Sequence, residues 1–253
     1  MVQVIALANQ KGGVAKTTST VNLAYALVQR GKRVLVIDFD PQGSLTTYYN
    51  QDKDALKAEE KTIYHALIKN KDITSLVIPG NPALLPSSDD LASAESELAR
   101  DWNPVESLRD KIKPLREHYD YILIDCAPTL GLLTGNALTA ADAVFIPVET
   151  AALALDGISD LFDTIERVRR RPNPDLRIIG VLPTKYNQRN LHDNECLNVL
   201  RQLEPRIRVF DPVNRSTAFD KSSAARRPAL ELFPDTPGVK NYYKVAEHII
   251  AYG

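Results

Sequence analysis

VQVIALANQKGGVAKTT, residues 2–18, decides how the rest of the chain is read. Val2 to Ala8 is a short apolar run, the pattern of a buried strand, and a Gly-bearing turn follows it. From Thr17 onward, Val21, Leu23, Ala24, Leu27 and Val28 recur at helical spacing, and Gly31 suits the C-terminal end of that helix. Val34 to Ile37 is a second apolar run and leads into Asp38-Phe39-Asp40-Pro41. Strand, helix, strand is the unit that builds a parallel sheet.

The pattern continues outward. Tyr121 to Ile124, ending at Asp125, reads as a third strand, Ala143 to Val148 as a fourth and Ile178 to Leu182 as a fifth. Residues 73–78, 83–86 and 207–210 are shorter strand signals. Helices are expected over 88–100, from Pro104 onward, over Leu153–Arg170 closed by Pro172, over 194–203 and over Val239–Ala251. The polar, aperiodic stretch 50–61 reads as a loop. Unbroken apolar strands alternating with helices predict an α/β fold, a mostly parallel twisted sheet with helices on both faces. No internal repeat or linker divides it, so one domain over 1–253 is expected.

Bulk properties exclude several classes of function. A formal net charge of -1 gives no global basic field, so nucleic-acid binding would have to come from a local patch or from two subunits together. Cys126 and Cys196 stand 70 residues apart, and His65, His118, His192 and His248 are scattered, so no zinc site is readable and two reduced cysteines are expected. The N-terminal stretch lacks the basic and apolar regions of a signal peptide, and no run approaches the ~18 apolar residues of a membrane span.

Residues 11–18, Lys-Gly-Gly-Val-Ala-Lys-Thr-Thr, follow a strand and open a helix. Free backbone N–H groups at such a helix start point at an anion. Gly12 and Gly13 let the backbone approach it closely, with the amides of Val14, Ala15 and Thr18 completing the cradle. Lys16 would set its ammonium on the β and γ phosphates of a nucleotide, and Thr17 would give its hydroxyl to Mg²⁺. The general phosphate-loop pattern Gly-x-x-x-x-Gly-Lys-[Ser/Thr] is not met, because Gln10 and Ala15 stand where it has glycine. If position 15 needs positive φ, alanine there costs on the order of 1 kcal/mol. A Gly-Gly turn before a basic helix is the competing reading, and the strands ending in aspartate weigh against it.

Lys-Gly-Gly-x-x-Lys-Thr-Thr, with a lysine at its head, resembles the deviant Walker A box of the ParA/MinD ATPases. VLVIDFDPQG (34–43) resembles that family's second motif and switch I, and YDYILIDCAP (119–128) its Walker B strand and switch II. LLPSSDDLASAESEL (84–98) and TKYNQRN (184–190) resemble later stretches of ParA proteins, with Asn187 where the family has aspartate. The likeness is nearest to ParA/Soj-type partition and positioning ATPases, a carboxysome-positioning McdA being one plausible member. It implies a P-loop NTPase fold, ATP and Mg²⁺ as cofactors, and slow, partner-stimulated hydrolysis.

The resemblance also implies roles. Lys11 would be the signature lysine, reaching across a dimer to the other subunit's phosphates. Asp38 would orient or activate the attacking water, and Asp40 and Asp125 would serve the Mg²⁺ shell; the alternative for an aspartate after a strand is a cap or turn. Asn187, Pro212, Val213 and Asn214 would lie near the base, although a proline-containing loop is also only a loop. ParA relatives bind DNA without sequence preference as ATP dimers, which makes Lys185, Arg189, Arg215, Lys221, Arg226 and Arg227 candidate phosphate contacts; a solvated basic surface is the alternative. The arginines at 167 and 169–171 close a helix, where cations are favoured by the helix dipole alone. The implied partners are a second copy, DNA and a ParB- or McdB-type activator, at the nucleoid in the cytoplasm.

Two rival readings share the scaffold. A MinD-like regulator needs a basic amphipathic membrane tail. Here VKNYYKVAEHIIAYG carries two lysines and puts Val239, Tyr242, Val245, Ala246 and Ile249 on one face, as a core helix would. A nitrogenase-iron-protein relative needs cluster cysteines near switch II, and Cys126 has only distant Cys196 for company. The acidic run holding Asp89, Asp90, Glu95 and Glu97 reads as a solvated helix face, with a partner surface as the alternative.

Overall fold

The computed structural model describes residues 2–150 and 154–252. In chain order the elements are β1 (Gln3–Leu7), α1 (Lys16–Val28), β2 (Val34–Phe39), α2 (Ser44–Tyr48), α3 (Lys53–Ala58), α4 (Ile63–Leu67), β3 (Ala83–Leu85), α5 (Leu91–Leu98) and α6 (Ser107–Lys111). There follow β4 (Tyr121–Cys126), α7 (Leu132–Ala140), β5 (Ala143–Glu149), α8 (Ala154–Arg170), β6 (Arg177–Thr184), α9 (Leu191–Arg201), α10 (Thr217–Ala225), α11 (Ala229–Leu232) and α12 (Asn241–Tyr252).

The strands form one six-stranded sheet in the order β3-β2-β4-β1-β5-β6, every pair parallel. Side chains alternate across a strand, and here both faces are buried. Val4, Ala6, Leu35, Ile37, Ile122 and Ile124 pack on one side with Leu91, Leu133 and Leu161 from the helices. Ile5, Leu7, Val34, Val36 and Leu123 pack on the other with Leu23 and Leu27 of α1 and Tyr242 and Val245 of α12. All five residues expected on the inner face of the last helix, Val239, Tyr242, Val245, Ala246 and Ile249, are fully buried. The tail is therefore core, and no helix among the described residues is long and apolar enough to cross a membrane.

Several local expectations change. Residues 73–78 are not a strand: Asp72 accepts from Thr74 N and caps a 3₁₀ turn over Ile73–Leu76, leaving only Ile78 in an antiparallel bridge to Leu84. The 207–210 signal shrinks to one bridge, Val209 to Val181. The polar stretch 50–61 holds α3, because the Asp52 carboxylate accepts from the amides of Asp54 and Ala55 and satisfies the first turn. Pro104 sits in a turn ahead of α6 rather than inside a helix. Leu153, the expected start of α8, lies outside the described residues.

β1 has β4 on one side and β5 on the other, so the chain reverses its winding direction about β1. In open α/β sheets the crevice at the carboxyl ends of such strands receives ligands. The register brings three strand ends together there, with Leu7 opposite Asp125 and Asp125 opposite Asp38.

Candidate functional site

The loop from β1 to α1 is shaped by two left-handed residues, Gly13 at φ 74 and Ala15 at φ 66, ψ 36. Ala15 is the N-cap, and no side chain caps α1, so its first-turn amides face the crevice. Two residues that sequence reasoning passed over hold the loop. Asn9 donates to Pro147 O at 2.7 Å and accepts from Lys11 N at 3.0 Å. Thr184, at the end of β6, donates from Oγ1 to Val14 O at 3.0 Å. Both contacts span about 140 residues or more of sequence, so no local pattern announces them.

Lys16 is buried, its Nζ donating to Asn9 O at 3.2 Å and Lys11 O at 3.3 Å. Burial pulls its pKa below the usual lysine value, and the negative charge of Asp125 works in the opposite direction. Asp125 accepts from Thr17 Oγ1 at 2.7 Å and from Thr20 Oγ1 at 3.1 Å. Its pKa is pushed up to about 7 by burial and then by the Asp38 charge, against the pull of Thr17, Lys16 and Thr20. Asp38 is fully buried and accepts from the Thr46 amide and hydroxyl, both at 2.7 Å. Burial raises it to about 6, with the Thr46 hydrogen bonds opposing. Asp40 accepts from Gln42 N at 2.9 Å and lines the crevice.

The crevice has a volume of about 760 Å³, ample for a nucleotide. Its lining includes Gly12, Gly13, Ala15 to Thr18 and Asp40, together with Tyr48, Val213, Asn214, Phe219 and Tyr242. The fit to a magnesium nucleotide is good: helix-start amides and an ammonium for phosphates, and the hard oxygens of Thr17, Asp40 and Asp125 for a small divalent cation. Asn214 is seated by close backbone approach. Gly238 has φ 82, and a Cβ there would meet Asn214 N at 2.5 Å.

Other expected residues lie elsewhere. Pro212 does not line the crevice; its carbonyl accepts from Asn241 Nδ2 at 2.8 Å. Asn187 belongs to a separate pocket of about 230 Å³ with Glu149, Asp193 and Asn190, and its amide is tied to Asp193 Oδ2 at 2.8 Å. Lys185 is not on an outer patch. It lines the crevice, its Nζ 3.5 Å from Glu149 and 3.9 Å from where a Cβ on Gly13 would stand. Lys11 turns to the same carboxylate at 3.7 Å.

Arg226 donates to Asn50 Oδ1 at 2.8 Å and Arg227 pairs with Glu231 at 2.6 Å. Arg189, Arg215 and Lys221 are exposed, Arg215 at the edge of the crevice and of the Asn187 pocket, and among the described residues none of the three forms a salt bridge. Cys126 is buried, where its thiol pKa is pushed far up, and no group of three or more His, Cys, Asp or Glu side chains that could hold a metal ion occurs among the described residues. The acidic run is engaged within the fold: Asp89 pairs with Lys57, Glu95 accepts from Leu133 N and Glu97 accepts from Tyr64.

Residues 2–178 match the family model described as an AAA domain. The chain is 37% identical over 255 residues to the chromosome partitioning protein ParA of Caulobacter vibrioides, covering 98% of this chain and 94% of the relative. A crystal structure described as cobyrinic acid a,c-diamide synthase from Mycobacterium smegmatis, with bound ATP analogue and magnesium, superposes with a TM-score of 0.83. It is 32% identical and covers 100% of this chain and 96% of its own. A Cyanothece McdA–ATP complex superposes with a TM-score of 0.89 over 98% of this chain and 96% of its own; at 23% identity it is a likeness of fold alone.

Proposed function

Because the chain belongs to the ParA family of P-loop ATPases, we propose that it is a positioning ATPase in which bound ATP closes two copies into a dimer that holds DNA. The observation that carries this reading is the meeting of Asp38 and Asp125 at adjacent strand ends beside a phosphate loop that carries two lysines. Lys16 and the amides of residues 12–18 would hold the phosphates, and Thr17, Asp40 and Asp125 the magnesium. The bound nucleotide supplies the phosphoryl group. Asp38 would take the proton of the attacking water, a task suited by a carboxylate raised toward neutral pH. Among the described residues the Lys11 side chain is held by one partly exposed pairing, with Glu149, which leaves it able to swing to a partner's phosphates. Asn214, with Phe219 and Tyr242, would face the base.

Hydrolysis would reopen the dimer, and a ParB- or McdB-type activator would set its timing. Arg189, Arg215 and Lys221 would form the DNA face. Two such faces in a dimer double the phosphates met, so binding would track ATP and weaken steeply with salt. Gel retardation and liposome flotation, each with ATP and with ADP, test this directly. Retardation with ATP alone is expected. Flotation without retardation would select the MinD-like membrane regulator instead, although the buried last helix argues against it.

A further inference from the structure

We propose that Thr46 is a positioning residue for Asp38, fixing the orientation of the carboxylate that handles the attacking water. This rests on the role proposed above for Asp38. Asp38 lies near the end of β2, and Thr46 sits on α2 after a short turn. Thr46 reaches one carboxylate oxygen twice: its amide and its hydroxyl each donate to Asp38 Oδ2 at 2.7 Å.

The hydroxyl is not free to turn away. The amide of Ser87, just beyond β3, donates to Thr46 Oγ1 at 2.9 Å. A hydroxyl that accepts there has its own proton left for the carboxylate. Asp38, Thr46 and Ser87 are all fully buried, so no solvent competes for these bonds. The ends of β2 and β3 and the first turn of α2 are thus tied together through Thr46.

The consequence for chemistry lies in the second oxygen. Among the described residues, Oδ1 receives only a longer contact, 3.3 Å from the Asp40 amide. It faces the side of Asp40, which lines the nucleotide crevice. The terminal torsion of an aspartate is soft, so an unclamped carboxylate would sweep through a wide arc. Two bonds on Oδ2 fix its plane and leave Oδ1, on the Asp40 side, as the oxygen that would meet a water admitted there from the crevice. Misplacing a reacting group by about 1 Å can cost on the order of a hundredfold in rate. A tie that merely braced α2 would instead alter stability and nucleotide affinity while sparing turnover.

The experiment compares single-turnover ATP hydrolysis, ATP affinity by calorimetry and Tm for the parent, Thr46→Val and Thr46→Ser, with Asp38→Ala alongside. Thr46→Val should slow hydrolysis about tenfold or more while ATP affinity stays within about twofold. Thr46→Ser, which keeps the hydroxyl, should recover most of the rate. Should Thr46→Val not fold, Thr46→Ala gives the same readout. Parental turnover without the hydroxyl overturns the proposal, as does a rate loss that Thr46→Ser fails to recover. If Asp38→Ala itself hydrolyses at the parental rate, the role of Asp38 fails first. If Asp38→Ala is inactive and Thr46→Val is not, only the inference about Thr46 fails.

Discussion

Ala15→Gly, a change at the N-cap of α1, should make this protein more stable. Ala15 is held at φ 66, ψ 36, the left-handed region. An L-residue with a Cβ pays about 1–2 kcal/mol to be there. Glycine removes that cost but brings a freer unfolded chain, which takes back about 0.4–1 kcal/mol. The net gain is about 0.5–1 kcal/mol, and in a chain of this size each kcal/mol moves Tm by about 2–4 °C. Calorimetric melting of the nucleotide-free protein should show a rise of about 1–4 °C. The mirror experiment is Gly13→Ala. Gly13 has φ 74, and the nearest atom to an added Cβ is the flexible end of Lys185 at 3.9 Å, so the change meets strain without a clash. It should lower stability by about 1 kcal/mol. A fall in Tm on Ala15→Gly would refute the reasoning, because it would mean that the alanine methyl contributes packing worth more than the backbone strain.

Asp38→Ala should keep ATP affinity near that of the parent while hydrolysis stops, so size-exclusion chromatography with ATP should show an accumulated dimer; a monomer alone would count against the role of Asp38. Asp125→Asn should reveal the cost of a buried charge in metal-free protein. The folded pKa of Asp125, about 7, lies above the ordinary carboxylate value of 3.8, so its contribution to stability is complete below about pH 4 and is lost as pH rises through about 7. Relative to the parent, the asparagine variant should therefore gain Tm steadily between those limits, and a pH-independent difference would show that Asp125 titrates normally.

Much of this architecture was legible because its signals are local and periodic. Val2 to Ala8, interrupted by Gln3, and the unbroken runs Val34 to Ile37 and Tyr121 to Ile124 are apolar segments of strand length, and all became central parallel strands. The last helix could be assigned to the core from one face of five residues. The condition attached to Ala15 also proved apt, since its φ is positive. What escaped depends on distance or on single side chains. The 73–78 run is apolar enough for a strand, yet the Asp72 carboxylate diverts its backbone into a 3₁₀ turn. Lys185 looked like one of several surface cations, but β6 ends beside β5 and carries it to the crevice wall against Glu149. Asn9, Thr184 and Thr46 are ordinary polar residues in sequence; only the fold shows which carbonyl or carboxylate each one holds.

The central claim is that the turn between β1 and α1 grips a triphosphate through its amides and Lys16. Titrating Mg-ATP into the purified protein in a calorimeter tests it most directly, with Lys16→Ala run beside it. Saturable heat for the parent and none for the variant is the predicted outcome. A flat parental trace, or equal binding by both proteins, would contradict the account.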